Sequence, residues 1–527
     1  MTPPPITPRE QKTARTSFSL TQADARTVVI AVLALGAVLR CLIAESTGLG
    51  VDESYAVAVA RQFSLSYFDH PPLHFWLAGA MAKLAHSEGA GVVRFPFVVC
   101  FAFTTWLMYR ITARFFGENA GAVAALLLNI SAVFSVTTGG WVLPDGPLML
   151  FMLASVAVIA DVVFERPLPG VRGPDTLRWA LAGVLAGLAM LSKYHGVFVL
   201  AGTFAFLLTS APHRKWLRHP GPYLGALIAL AMFTPVVLWN RQHGWASFAF
   251  QGGRASGSGG VHIDTMLASL AGQAGYVLPW IWIPLVVVLW KAIRGGPRDA
   301  SRWFFVCLGL GPIAVFTLIA LRGDAGLPHW EAPGYLMIFP VLGAAAASRL
   351  ARGDALTRRW IRWSAATFVA LVAFLVTQTA NGWIERVAPS LLAKGDPTTD
   401  MVPWHALRPT LDAENLLAPG DFLAAPSWIQ AGQAALGVGP DVPVLCLCAD
   451  PHHFYYMADD RTLLGHDAVF VKKIKPNDDV LAAFSPYFES FSVADTLVVR
   501  RGGMPAFRIG IYRGRGFKKV FPTAQPR

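Results

Sequence analysis

The apolar positions of this chain come in long runs separated by short polar stretches, and those runs predict its architecture. Stretches of the length that crosses a bilayer, roughly 17–25 residues, fall near 27–45, 93–112, 119–138, 147–164, 178–192, 196–211, 222–239, 271–293, 303–321, 332–350 and 363–380. They predict about 11 transmembrane helices. A further apolar stretch, Leu73–His86, follows Pro71-Pro72 and is short for a crossing. The polar residues at the N-terminus lack the apolar stretch and small-residue cleavage site of a signal peptide, so Thr27–Ile43 reads as a first span that stays in the protein.

After the last span the pattern changes. Val442–Leu447 and Asp467–Val471 read as strands, bounded by turn-formers such as Gly439-Pro440 and Pro476-Asn477-Asp478. Ala413–Leu417 and Asp479–Phe484 read as helices. The expected fold class is an α-helical polytopic membrane protein with a C-terminal α/β domain. Its parts are a cytoplasmic tail (1–26), a transmembrane catalytic domain (27–384) with a first outer loop at 46–92, and an extracytoplasmic domain (385–527). No repeat of 20–50 residues is visible.

Composition supports this reading. The chain is 54% hydrophobic and 14% charged, with mean hydropathy +0.47, against about 25% charged residues in soluble domains. If 73–86 is a surface or re-entrant helix, the basic clusters all fall on one side of the membrane. They include Arg110/Arg114, Arg166/Arg172/Arg178, Arg214/Lys215/Arg218 and Arg349/Arg352/Arg358/Arg359/Arg362. By the positive-inside rule that side is cytoplasmic. Asp52, Asp69, Asp145, Lys193, His243 and His329 then share the extracytoplasmic side with residues 385–527, which for a bacterial inner membrane is the periplasm. Residues 385–527 hold as many acidic as basic side chains, so the net +12 lies wholly in the membrane part. It is an orientation signal that suits anionic lipid headgroups and argues against nucleic acid as a partner. The five cysteines are too few for a disulfide framework and read as free thiols.

Acids at span ends are costly near lipid and are functional candidates for that reason. Asp52-Glu53 follows the first span; the pair serves either as a helix N-terminus favoured by the dipole or as a general base, since neighbouring carboxylates raise each other's pKa. Asp69-His70-Pro71-Pro72 is either an interfacial turn or a contact to a headgroup, sugar or metal. Asp145, between Pro144 and Pro147, flanks two more spans. Lys193-Tyr194-His195 breaks the positive-inside pattern and places a cation where a lipid phosphate would lie, or else snorkels. Arg241 and His243, then Arg254 beside the Gly/Ser run Ala255–Gly260, form a second outer loop expected to be mobile. Arg322, Asp324 and His329-Trp330 form a third. Asp69, His70 and His243 are candidate ligands for a divalent metal ion, although no HxxxH or HxxE spacing supports one. No other cofactor is expected.

These stretches, in this order, resemble the bacterial glycosyltransferase family 39 and its relatives, which include protein O-mannosyltransferases and lipid A aminoarabinose transferases of the GT-C membrane fold. The matching stretches are Asp52-Glu53-Ser54-Tyr55, Tyr67-Phe68-Asp69-His70-Pro71-Pro72-Leu73, Arg94-Phe95-Pro96, Leu143-Pro144-Asp145-Gly146-Pro147-Leu148, Leu191-Ser192-Lys193-Tyr194-His195-Gly196 and Pro328-His329-Trp330. The C-terminal Asp450-Pro451-His452-His453-Phe454 resembles some members as well. The resemblance implies a polyprenyl-phosphate sugar donor and an acceptor on lipid A, an envelope glycan or a protein. It implies that Asp52 is the base for the acceptor hydroxyl, with Asp69, His70 and Asp145 lining the site and Lys193 near the lipid phosphate. The aminoarabinose transferases carry an acid followed by Lys-Pro where this chain has Asp69-His70-Pro71.

The residues themselves fit a single displacement: one carboxylate accepts the acceptor proton, cations receive the phosphate charge, and the anomeric centre inverts. The competing class is a polyprenyl-lipid transporter or flippase, which would show inverted repeats and midplane charges. Neither is evident.

Overall fold

A helix that is apolar around its whole circumference is stable only in lipid or in a protein interior, and this chain uses both settings. The computed structural model describes residues 22–165, 174–256, 260–324, 326–392, 395–475, 478–523 and 525. Most of the N-terminal tail, Arg166, Arg172, residues 257–259 of the Gly/Ser run and the expected turn at Pro476-Asn477 lie outside the described residues.

In chain order the membrane part holds α1 (Gln22–Ser46), the loop helices α2 (Val51–Ala60) and α3 (Leu73–Ala85), α4 (Ala90–Phe116) and α5 (Glu118–Asn129). A π-helical turn, Val133–Thr138, leads to α6 (Asp145–Val163), α7 (Asp175–Ser192), α8 (Val197–Thr209), α9 (Gly221–Met232), α10 (Thr234–Gln242) and α11 (Ala246–Ser256). Then follow α12 (Ile263–Val277), α13 (Pro279–Gly295), α14 (Ala300–Leu321), α15 (Ala332–Leu336), α16 (Phe339–Ala351) and α17 (Ala355–Asn381). The apolar window of α6 is 83% buried and those of α1 and α17 only 17%. The first is therefore the interior helix, and the other two face lipid. At the α7–α9 crossing a Cβ on Gly183 would stand 2.3 Å from the Gly225 carbonyl, so only glycine permits the approach.

The protein is a multi-pass membrane protein. Among the described residues six helices are long and apolar enough to cross, with α9 and α10 together counting as one (Gly221–Gln242), against the 11 spans expected. Part of the difference lies in breaks that hydropathy does not register. The expected span 271–293 is two helices, α12 and α13, bent by 112°. Leu278 sits between them at φ 82 and Pro279 cannot donate to the preceding turn. The segment Tyr194–Thr209 likewise turns by 117° into the short basic helix Ala211–Arg218. Helix α3 has 13 residues, about 20 Å of helix, too short for a crossing.

The π-helical turn interrupts the expected span 119–138 and is held from α1. Arg40, buried in that helix, donates to Asn129 Oδ1 at 3.0 Å, Ser135 Oγ at 2.8 Å and Ser135 O at 3.1 Å. It thereby braces a segment whose Thr137 and Thr138 line the cavity described below.

The C-terminal domain carries a five-stranded sheet of order β2-β1-β3-β5-β4, with β1 (Phe422–Ala425), β2 (Val444–Cys446), β3 (Ala468–Lys473), β4 (Phe488–Arg501) and β5 (Met504–Phe517). β1 pairs in parallel with β2 and β3; β5 pairs antiparallel with β3 and β4. Gly502 and Gly503, both at positive φ, make the tight β4–β5 turn. The expected strands are present as β2 and β3, and the expected helix at 479–484 is Val480–Phe484. The helix expected at Ala413–Leu417 is not formed; Leu407–Ala413 is helical instead, and Asn415 at φ 50 ends the run.

One hydrophobic core joins this domain to the loop that carries α2 and α3. Tyr55, Phe75 and Ala78 of α2 and α3 pack in the same buried cluster as Leu423, Val469, Ile509 and Ile511 of the sheet. Helix Trp428–Val438 lies so close to α2 that a Cβ on Gly432 would stand 2.7 Å from the Tyr55 backbone nitrogen.

Candidate active site

Helix α2, the loop before α3, the π-helical turn and the N-terminus of α6 enclose a cavity of about 250 Å³. Asp52, Tyr55, Asp69, His70, His74, Asp145, Lys193, Arg254, His329 and Trp330 line it. Seven residues expected from the sequence at the site, scattered between positions 52 and 329, thus converge on one chamber. Asp52 and Tyr55 stand three residues apart on α2 and so share a face. Asp145 opens α6, and the extended backbone of Lys193 ends α7. Lys193 Nζ reaches both oxygens of Asp145, at 2.9 and 3.1 Å, in a buried pair.

Glu53, expected beside Asp52 as a catalytic acid, does not reach the cavity. A step of one residue turns it about 100° around α2, away from the cavity, where it is 1% exposed. Its carboxylate accepts from Arg94 Nε at 2.8 Å, Arg94 Nη2 at 2.5 Å, the Val142 amide at 2.9 Å and the Gly50 amide at 2.9 Å. Every lone pair is engaged, so Glu53 serves as a buried fastening between α2, α4 and the segment before α6. Arg241 is exposed on α10, away from the cavity. His243 bonds the Trp239 carbonyl at 2.8 Å through Nδ1 and stacks on the Trp239 ring at 4.2 Å. It therefore does not join Asp69 and His70 in a metal site; among the described residues no three His, Cys, Asp or Glu side chains are placed to hold a metal ion.

The remaining acids differ in environment. Asp52 exposes surface, but that surface opens on the cavity. The surrounding protein raises its pKa to about 6, chiefly by desolvation and then by the charges of Asp69 and Glu53; His452 and Arg254 oppose the rise. Asp69 is likewise pushed up by burial, against the pull of His452 and a hydrogen bond from Tyr55. His70 is held well below its ordinary range, by burial first and then by His74 and Lys193, so it is a neutral imidazole. Among the described residues its Nδ1 is buried without a hydrogen-bond partner. His329 is lowered to about 4 by burial and Lys193.

A second cavity, also of about 250 Å³, adjoins the first. Val197, Phe198, Phe316 and Ile319 make it apolar, and Tyr194, His195 and Gln251 complete it. His195 stacks on Phe316 at 4.6 Å, and the Tyr194 hydroxyl meets Ser247 Oγ at 2.6 Å. His70, Lys193, Arg254 and Trp330 line both cavities. Arg254 lies over the rings of Phe250 at 5.3 Å and Trp330 at 5.0 Å. A greasy groove thus meets an acid-lined chamber at a wall of two cations and a neutral imidazole. Tyr55 and His74 were given no role of their own by the sequence, although the Asp52–Tyr55 spacing carried a readable signal for Tyr55; Trp330 had been singled out only as the neighbour of His329.

The fold is of the GT-C class. ArnT from Cupriavidus metallidurans, in its crystal structure bound to undecaprenyl phosphate, matches with TM-score 0.62 at 16% identity, covering 92% of this chain and 97% of that one. The family profile of dolichyl-phosphate-mannose-protein mannosyltransferases matches residues 69–239. Among curated proteins of Rhizobium johnstonii, the lipid A galacturonosyltransferase RgtD is 24% identical over 299 residues, 55% of this chain and 59% of that protein. The lipopolysaccharide core galacturonosyltransferase RgtB is 23% identical over 315 residues, 57% of this chain and 60% of that protein. The matches thus span about three fifths of the length of these relatives. Together these similarities bear out the resemblance to glycosyltransferase family 39.

Proposed function

We propose that the protein is an inverting glycosyltransferase that moves a sugar from a polyprenyl-phosphate donor to a hydroxyl of an extracytoplasmic acceptor. The observation that carries this reading is the shared wall: His70, Lys193, Arg254 and Trp330 border both an apolar groove and a chamber holding Asp52, Asp69 and Asp145. A polyprenyl phosphate needs that combination, an apolar path for its chain and cations for its phosphate. The names of the curated relatives favour a galacturonosyl donor and lipid A or the lipopolysaccharide core as acceptor.

In the transfer step the acceptor oxygen attacks the anomeric carbon while its proton passes to the Asp52 carboxylate. The bond from that carbon to the phosphate oxygen breaks, and polyprenyl phosphate leaves with the bonding pair. Lys193 and Arg254 stabilise the charge that develops there, and His70 offers a neutral N–H. A phosphate leaving group needs no strong general acid, so one base suffices. Asp145 holds Lys193 in place, and Asp69 and His329 line the sugar chamber. The active site and residues 385–527 face the periplasm in this reading.

The test is Asp52→Asn in detergent-purified protein. Transfer falls by at least about 10³-fold, in the range of a lost general base, while undecaprenyl phosphate binding and the thermal midpoint stay at wild-type values. Wild-type turnover by this variant would overturn the assignment.

A further inference from the structure

The loop Asp450–His453 of the C-terminal domain comes within two hydrogen bonds of the cavity wall. The His453 backbone amide donates to the Tyr55 hydroxyl oxygen at 3.0 Å, and that hydroxyl lies 2.7 Å from Asp69 Oδ1. An amide only donates, so the Tyr55 oxygen is its acceptor and the Tyr55 proton is directed to the Asp69 carboxylate. A second bond ties the same loop to Asp69: the amide of Phe68 donates to His453 Nδ1 at 3.3 Å. That bond leaves the imidazole proton on Nε2. His453 is 3% exposed and its ring lies 4.6 Å from Tyr67.

The preceding residue shows how firmly this loop is set. His452 takes φ 52, a left-handed conformation uncommon for a side-chain-bearing residue. It is held by stacking on Trp428 at 4.5 Å and by Nε2 against Asp450 at 3.3 Å. Trp428 begins the helix that packs on α2 through Gly432. Neither histidine lines the cavity; the pair lies behind the part of its wall formed by Tyr55 and Asp69.

We propose, on the transferase reading above, that His453 is a positioning residue: through Tyr55 and Phe68 it fixes the Asp69 carboxylate for a hydroxyl of the donor sugar. The C-terminal domain then completes the site from behind.

The experiment uses full-length protein, undecaprenyl-phosphate galacturonic acid as donor and lipid A as acceptor, and reads kcat, donor KM and thermal midpoint. His453→Leu removes the acceptor for the Phe68 amide, and Tyr55→Phe removes the link to Asp69. Each lowers kcat about tenfold or more with donor KM within about twofold, and the double variant is no slower than the worse single, as for residues acting as one unit. His453→Asn, whose side-chain oxygen replaces Nδ1 as acceptor, stays within about threefold of wild type. Losses that multiply in the double variant, or Tyr55→Phe at wild-type kcat, overturn the proposal. Should His453→Leu fail to fold, Tyr55→Phe and His453→Asn decide by the same limits. A wild-type protein inert toward this donor and acceptor removes the transferase reading and this inference together; an active wild type with indifferent variants removes only the inference.

Discussion

The pH dependence of transfer reports directly on the environment of Asp52. In the proposed mechanism Asp52 acts as the base only when ionised, so activity is lost as pH falls through its pKa. With that pKa at about 6, the ionised fraction is about nine tenths at pH 7 and about one tenth at pH 5, a tenfold loss of kcat/KM. An Asp at the ordinary 3.8 would lose only about 6% over the same interval. Asp69 is the largest charge that raises Asp52, so Asp69→Asn moves the acid limb to lower pH, whatever it does to the absolute rate. Arg254 opposes the rise, so Arg254→Gln moves the limb to higher pH. Initial rates in detergent from pH 4.5 to 8, with donor below KM, measure both shifts. A flat wild-type profile between pH 5 and 7, or an upward shift in Asp69→Asn, would refute the assignment of Asp52 as a desolvated base.

Three further outcomes follow from the geometry. Arg94→Met leaves Glu53 buried with no counter-charge and costs about 3–5 kcal/mol, read as a lowered thermal midpoint, while Glu53→Gln destabilises without abolishing turnover of the folded fraction. Lys193→Met strands Asp145 in the same way; adding Asp145→Asn recovers stability but leaves undecaprenyl phosphate binding impaired, which paired thermal and binding measurements separate. For orientation, Leu464→Cys, half-exposed in the C-terminal domain, reacts with an impermeant maleimide from the periplasm, whereas Leu356→Cys, 73% exposed at the start of α17, reacts only after permeabilisation; the reverse pattern inverts the topology.

The candidate site was legible because polar side chains are expensive in an apolar chain. Asp52, Asp69, His70, Asp145, Lys193, Arg254 and His329 stood out against their surroundings, and the structure brings them to one cavity. What could not be read was direction. Asp52 and Glu53 are indistinguishable as neighbours, yet about 100° of helix rotation sends one to the cavity and the other to Arg94, 41 positions along. Arg241 and His243 looked equally functional, but α10 carries the first to the surface and ring stacking on Trp239 occupies the second. In the fold, hydropathy found the apolar segments and missed the break at Leu278, where the apolar run continues but the backbone turns. The β4–β5 hairpin was readable and went unread: Gly502-Gly503 between two runs rich in β-branched and aromatic residues is a turn signal.

The proposed transfer is coupled to release of the lipid phosphate, and the stoichiometry of the two products is its sharpest test. Purified protein is given undecaprenyl-phosphate galacturonic acid and lipid A, and free undecaprenyl phosphate and glycosylated acceptor are quantified together by mass spectrometry. One lipid phosphate is released per sugar transferred, and neither product is formed by Asp52→Asn. Passage of the intact sugar lipid across a proteoliposome membrane, with no glycosylated acceptor and no free undecaprenyl phosphate, would contradict the proposed transfer and make the protein a transporter.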